Sequence, residues 1–117
     1  MPYVSFEDLE VWKRSCRLAV QICKLLKDSR DFVLKDQMSR AAISIASNIA
    51  EGAERGSKSE FIRFLHIAKG SAAELRTQIY IADKLETILP EGKTAELIVE
   101  LKQISSMLHG LVKSQKS

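Results

Sequence analysis

The sequence predicts an all-α protein: an antiparallel, up-down, left-handed four-helix bundle forming one domain over residues 1–117. Three observations carry this. Apolar residues recur every three or four positions in four separate stretches, short polar breaks divide those stretches, and no stretch alternates with the period of two that strands require. Amphipathic helices joined by short connections pack as antiparallel neighbours around a common seam. The expected helices cover residues 6–28, 32–52, 57–88 and 93–114.

The first helix opens at Ser5-Phe6-Glu7-Asp8, a capping box in which the serine accepts from an early backbone N–H while Asp8 reaches back. Leu9, Trp12, Cys16, Ala19, Cys23 and Leu26 then recur at alternating spacings of three and four, the seam of helices packed lengthwise. Asp28-Ser29-Arg30-Asp31 breaks the pattern, and Asp31 is placed to cap the second helix. That helix has Leu34, Met38, Ala41, Ile45 and Ile49 as its seam and otherwise consists largely of alanine and serine. Gly52 and Gly56 end it.

Ser57-Lys58-Ser59-Glu60 is a second capping box, opening the longest helix, whose seam is Phe61, Leu65, Ala68, Ala72, Leu75, Ile79 and Ala82. Pro90 and Gly92 mark a turn, since proline has no N–H with which to continue a helix. Thr94 is expected to cap the fourth helix, with Leu97, Leu101, Ile104, Leu108 and Leu111 as its seam. The stretch from Lys113 to Ser117 contains nothing apolar and is expected to fray.

Two surfaces exceed what a single core requires. Val11, Leu18, Ile22 and Leu25 form a second apolar stripe beside the first seam, giving that helix nearly twice the usual apolar arc. Either it is buried between neighbours or it carries a core face and a subunit interface. With four helices available the interface is the expectation, so these four residues are assigned to a homo-oligomer contact. Ala41-Ala42, Ala46, Ser47 and Ala50 are expected to face Gly70-Ser71-Ala72-Ala73, and Gly70 then marks close approach of another backbone. Asn48 lies on the apolar side of its helix, where an amide must be hydrogen-bonded and can fix register.

Catalytic and metal chemistry find no foothold. A di-iron or di-manganese bundle needs Glu-x-x-His on two helices, but His66 and His109 are preceded three positions earlier by Arg63 and Ser106. Cys16 and Cys23 have no zinc-ligand spacing. Seven residues of helix separate them by about 10 Å, too far for a disulfide. Both are read as small core hydrophobes. The glycines of Glu51-Gly52-Ala53-Glu54-Arg55-Gly56 come after a helix and sit among carboxylates, unlike a phosphate loop. The chain is therefore expected to be no enzyme, with no catalytic residue, cofactor or metal.

Binding remains. A net charge of +3 and a pI near 9.0 permit contact with nucleic acid without demanding it. Lys13, Arg14, Arg17 and Lys24 gather on one side of the first helix, and Arg63, His66, Lys69 and Arg76 line a flank of the third. Clustered cations are what phosphate contact needs, although such a stripe taken alone reads first as a solvated face. Tyr80 is the one aromatic near these charges, so stacking of unpaired bases has little support. No secretory leader or apolar run of about 20 residues is evident, so a cytoplasmic protein without membrane contact is expected.

The stretch Ser39-Arg40-Ala41-Ala42-Ile43-Ser44-Ile45-Ala46-Ser47-Asn48-Ile49-Ala50-Glu51-Gly52 resembles the signature of the four-helix-bundle proteins encoded in intervening sequences of bacterial 23S ribosomal RNA genes. Phe6-x-x-Leu9-x-Val11-Trp12, Phe61-Ile62-Arg63-Phe64-Leu65-x-Ile67-Ala68 and Gly70-Ser71-x-x-Glu74-Leu75-x-Thr77-Gln78 match in order. The resemblance implies an up-down bundle and a ring-like homopentamer. It also implies kinship with the accessory protein of diversity-generating retroelements, which associates with nucleic acid and a reverse transcriptase. On that basis a basic surface would hold structured RNA or DNA and another surface a protein partner.

Two departures stand out: Ser39-Arg40 replaces a frequent Arg-Arg, and Arg76 stands where an acid is common. The resemblance leaves Asn48 and Glu51 as polar registration and Gly52 as the helix end. The expected nucleic-acid contacts are Lys13, Arg14, Arg17 and Lys24, then Arg40 and Arg63. The alternative is a protein-interaction scaffold with incidental nucleic-acid affinity.

Overall fold

The structure is a computed structural model describing residues 5–85 and 89–116. Four helices, α1 (Glu10–Leu25), α2 (Phe32–Glu54), α3 (Lys58–Leu85) and α4 (Lys93–Lys116), form a four-helix bundle with no strand among the described residues. A single 3-10 turn, Phe6–Asp8, precedes α1. The bundle is a rod, 49 × 19 × 19 Å between Cα extremes. Among the described residues α1 touches α2 and α4, and α3 touches α2 and α4, while neither diagonal pair meets. The helices thus stand at the corners of a square, in chain order. The α2–α3 side is the closest packed and the α1–α4 side the least.

Local chemistry sets the boundaries. The Asp31 carboxylate accepts from the Leu34 N–H at 3.1 Å and caps α2. The Ser57 hydroxyl accepts from the Glu60 N–H at 3.2 Å and opens α3. Gly56 and Gly92 have φ of +87° and +85°, a region that favours glycine, and each sits in the turn before a helix.

Elsewhere the boundaries differ from expectation. Ser5 caps the 3-10 turn through the Glu7 N–H, and α1 starts only at Glu10 without a side-chain cap. Thr94 lies inside α4, where its hydroxyl donates to Asp83 of α3 at 2.8 Å instead of capping. The last helix continues to Lys116 rather than fraying. Residues 86–88, expected as the end of the third helix, lie outside the described residues.

The seams read from sequence in α2, α3 and α4 are the core. Leu34, Met38, Ala41, Ile45 and Ile49 are buried, as are Leu65, Ala68, Ala72, Leu75, Ile79 and Ala82. So are Leu97, Leu101, Ile104 and Leu108, while Phe61 and Leu111 pack partly buried against the cluster.

Helix α1 is turned relative to expectation. Val11, Leu18 and Ile22 point into the core at 4%, 1% and 0% exposure, and Leu25 packs partly buried against it. Assigned to a subunit interface, these residues belong instead to the protomer's own interior. Cys16 is half-buried and Cys23 exposed, so the cysteine stripe is a shoulder rather than the seam. At 100° per residue the rotation amounts to about 80°. Ser15 explains how the helix tolerates it. Fully buried, its hydroxyl donates to the Val11 carbonyl one turn back at 2.7 Å, so no polar group is left unpaired. Trp12 stays at the rim, edge-on to Phe6 with ring centroids 5.2 Å apart.

Candidate nucleic-acid interface

Five cations and one carboxylate lie between Glu10 and Lys27, a local charge of +4 against +3 for the whole chain. The rotation of α1 decides where they point. With Val11, Leu18 and Ile22 inward, Lys13, Arg17 and Lys24 fall within about 40° of one another, directly opposite the core. All three are exposed. Arg17 reaches Glu10 at 3.3 Å, with both side chains at least 60% exposed. A pair so open to water holds its arginine weakly.

Arg14 does not join them. Its guanidinium donates to the Glu100 carboxylate and to the Gln103 amide oxygen, with Met107 Sδ also within reach, bridging α1 to α4. The hydrogen bond to Glu100 is the main reason its pKa rises above the usual value; desolvation opposes this and the nearby charges of Glu100 and Glu10 assist. With its side chain only 23% exposed, Arg14 is a clasp across the most loosely packed side of the square. Expected as a phosphate contact, it is instead committed to the fold, because a carboxylate within bonding distance outcompetes a solvent-borne anion.

Arg40 lies on α2 and Arg63 on α3, each engaged by a carboxylate of its own helix. Arg40 pairs with Asp36 one turn back at 3.0 Å and is 80% exposed. Arg63 donates to Glu60 at 2.7 Å, and its guanidinium lies 4.5 Å from the Phe64 ring centre. Arg55 lies 4.8 Å from the same ring and pairs with Glu51 and Glu60. Phe64 thus anchors two guanidiniums whose charges carboxylates already meet, which secures the α2–α3 turn. Of the expected cations, Lys13, Arg17 and Lys24 are the ones that stand exposed together on one helix.

Polar side chains of the signature stretch on α2 bond within the bundle. Asn48 donates to the Ser44 carbonyl at 2.8 Å and to its hydroxyl at 2.9 Å. Ser44 in turn shares a 2.8 Å hydrogen bond with Ser71 of α3. Gly52 is buried within α2 and not its end, and a Cβ there would crowd Phe64. The close approach expected at Gly70 is therefore at Gly52, and Gly70 is exposed with open space around it. Serine-to-serine pairing leaves no trace in an apolar periodicity, and so could not be read in advance.

Among the described residues no group of three or more His, Cys, Asp or Glu side chains is placed to hold a metal ion. No helix among the described residues is long and apolar enough to cross a membrane.

A model of the family described as 23S rRNA-intervening sequence protein matches residues 7–110. The fold is similar to a crystal structure at 1.70 Å of a protein with unknown function from the S23 ribosomal protein family of Bacteroides thetaiotaomicron. That likeness has a TM-score of 0.82 and 25% identity, covering 88% of this chain and 98% of the other. No curated protein matches the chain.

Proposed function

The chain belongs to the 23S rRNA-intervening sequence protein family, and we propose that it is a non-catalytic, cytoplasmic bundle binding structured RNA or DNA by charge. The observation that carries this is the outward row of Lys13, Arg17 and Lys24 on a segment more positive than the chain as a whole. Such a row neutralises phosphates and releases their counterions, which links affinity to salt.

An up-down antiparallel course with a left-handed twist belongs to the same reading. Its antiparallel part is supported at the α2–α3 pair by Ser44 meeting Ser71 while Gly52 meets Phe64, so that α2 numbers rise as α3 numbers fall.

The test is a titration of the nuclease-treated protein against structured RNA and duplex DNA at low and physiological salt. Binding that persists at physiological salt, with a log–log slope of about −2 to −3 for three phosphate contacts, supports the reading. Reversing Lys13, Arg17 and Lys24 to Glu abolishes it while the helical circular dichroism stays intact. Unchanged affinity in that variant removes the site.

A second reading rests on a different surface. Val33, Ile81 and Leu85, at 70%, 50% and 49% exposure, expose apolar area at one end of the α2–α3 pair, and Ile43 and Ile67 add to it along its length. Apolar area of this kind suits a protein partner or further copies of the chain, including a ring-like homopentamer. Sedimentation of the purified chain tests self-association, and capture of a partner from nuclease-treated lysate tests the scaffold role.

A further inference from the structure

Resting on that charge-binding reading, we infer that the polymer is duplex DNA of the B form, taken by α1 lying in the major groove. The shape of the basic surface leads there. Lys13, Arg17 and Lys24 are not gathered around a concavity. They run along the crest of one helix, opposite its core face, with α2 and α4 flanking it and α3 behind them.

At 1.5 Å per residue the row spans about 16 Å, with Arg17 about 6 Å beyond Lys13. A convex helix about 10–12 Å across matches a groove about 12 Å wide. The A-form major groove is too deep and narrow to admit it. The crest also carries one side chain other than the cations. Val20 lies between Arg17 and Lys24 in the same sector, 53% exposed. An aliphatic group there meets the thymine methyl on the major-groove edge.

What the crest lacks argues the same way. Unpaired bases need aromatic faces to stack upon, and α1's one aromatic, Trp12, is half-buried at the rim and engaged with Phe6. The Arg14 clasp ties α1 to α4 near the start of the crest and so leaves its guanidinium out of the row.

The experiment compares the full chain, nuclease-treated, on four labelled 20-mers at physiological salt. These are a DNA duplex, an RNA duplex of the same sequence, the single DNA strand, and a DNA duplex whose cytosines carry glucosylated hydroxymethyl groups that fill the major groove. The DNA duplex binds at least tenfold tighter than the RNA duplex and the single strand, and filling the groove costs at least tenfold. RNA duplex binding as tight as DNA, or no loss on filling the groove, overturns the inference while leaving the charge reading intact. Failure to bind any of the four removes both.

Discussion

Gly52 of α2 and Phe64 of α3 approach so closely that a Cβ built on the glycine comes within 2.5 Å of the phenylalanine Cβ. Real Cβ atoms do not meet at that distance, and the obstructing atom sits next to the α3 backbone rather than at the end of a flexible side chain. The α2–α3 pair, the closest packed in the bundle, depends on the missing methyl.

Gly52→Ala is therefore expected to destabilise by about 1–3 kcal/mol from overpacking, despite the roughly 1 kcal/mol that alanine gains over glycine inside a helix. Gly70→Ala, inside α3 with nothing near its Cβ, is expected to stabilise by about 0.5–1 kcal/mol. Urea midpoints of the two variants check the opposite signs. A Gly52→Ala variant as stable as the parent would contradict the close approach.

Arg14 and Glu100 are expected to couple. With side chains 23% and 30% exposed, the pair sits between the open and buried extremes, and a coupling energy of about 1 kcal/mol is expected. A double-mutant cycle of Arg14→Ala and Glu100→Ala measures it. Additive losses would reduce the clasp to a surface contact.

Glu60 gives the fold a dependence on acid. A hydrogen bond from Arg63, assisted by the charges of Arg63 and Arg55, lowers its pKa from the ordinary 4.5 in spite of some desolvation. The folded state then binds this proton less readily than the unfolded chain. The contribution is complete above about pH 5 and fades as the pH falls below 4.5 and through the lowered folded value. Melting temperatures of the parent and Glu60→Gln, recorded from about pH 7 to about pH 3, are expected to converge at the acid end. A constant gap across that range would show that the carboxylate charge plays no part.

The two cysteines are expected to react in a set order. Cys23 is exposed, while burial raises the Cys16 pKa and withholds its thiolate. Timed alkylation at about pH 8, read by peptide mass spectrometry, should label Cys23 several-fold faster. Equal rates would place α1 in a different rotation about its axis.

That rotation marks where the sequence stopped being legible. Seams in α2, α3 and α4 were plain because one three-four series of apolar positions runs the length of each helix and is the series that is buried. In α1 two stripes adjoin, and period alone cannot choose between them. Ser15 counts as polar in any pattern, yet its bond to the Val11 carbonyl lets it sit fully buried at the centre of the true core face. Read as a boundary, it pushes the seam onto Trp12, Cys16 and Cys23.

The same rotation decides the basic site. Lys13, Arg17 and Lys24 were found from sequence because they are lysine and arginine at helical spacing. Arg14 is adjacent in sequence but turned about 100° away, and its partners Glu100 and Gln103 lie on another helix. Gly52 was visible as a glycine, but whether it ended the helix or admitted Phe64 depended on a contact across two helices.

The square arrangement has a kinetic consequence. Three of its four sides join helices adjacent in the chain, so they can zip together through short loops. Only the α1–α4 side closes over a long separation; its clasp links residues 86 positions apart. Search entropy therefore concentrates in one late event, and the reverse of that event is the cheapest way to open the native rod. Amide exchange in α1 should then outpace that in α2 and α3, as the helix offered to a partner is also the first to detach.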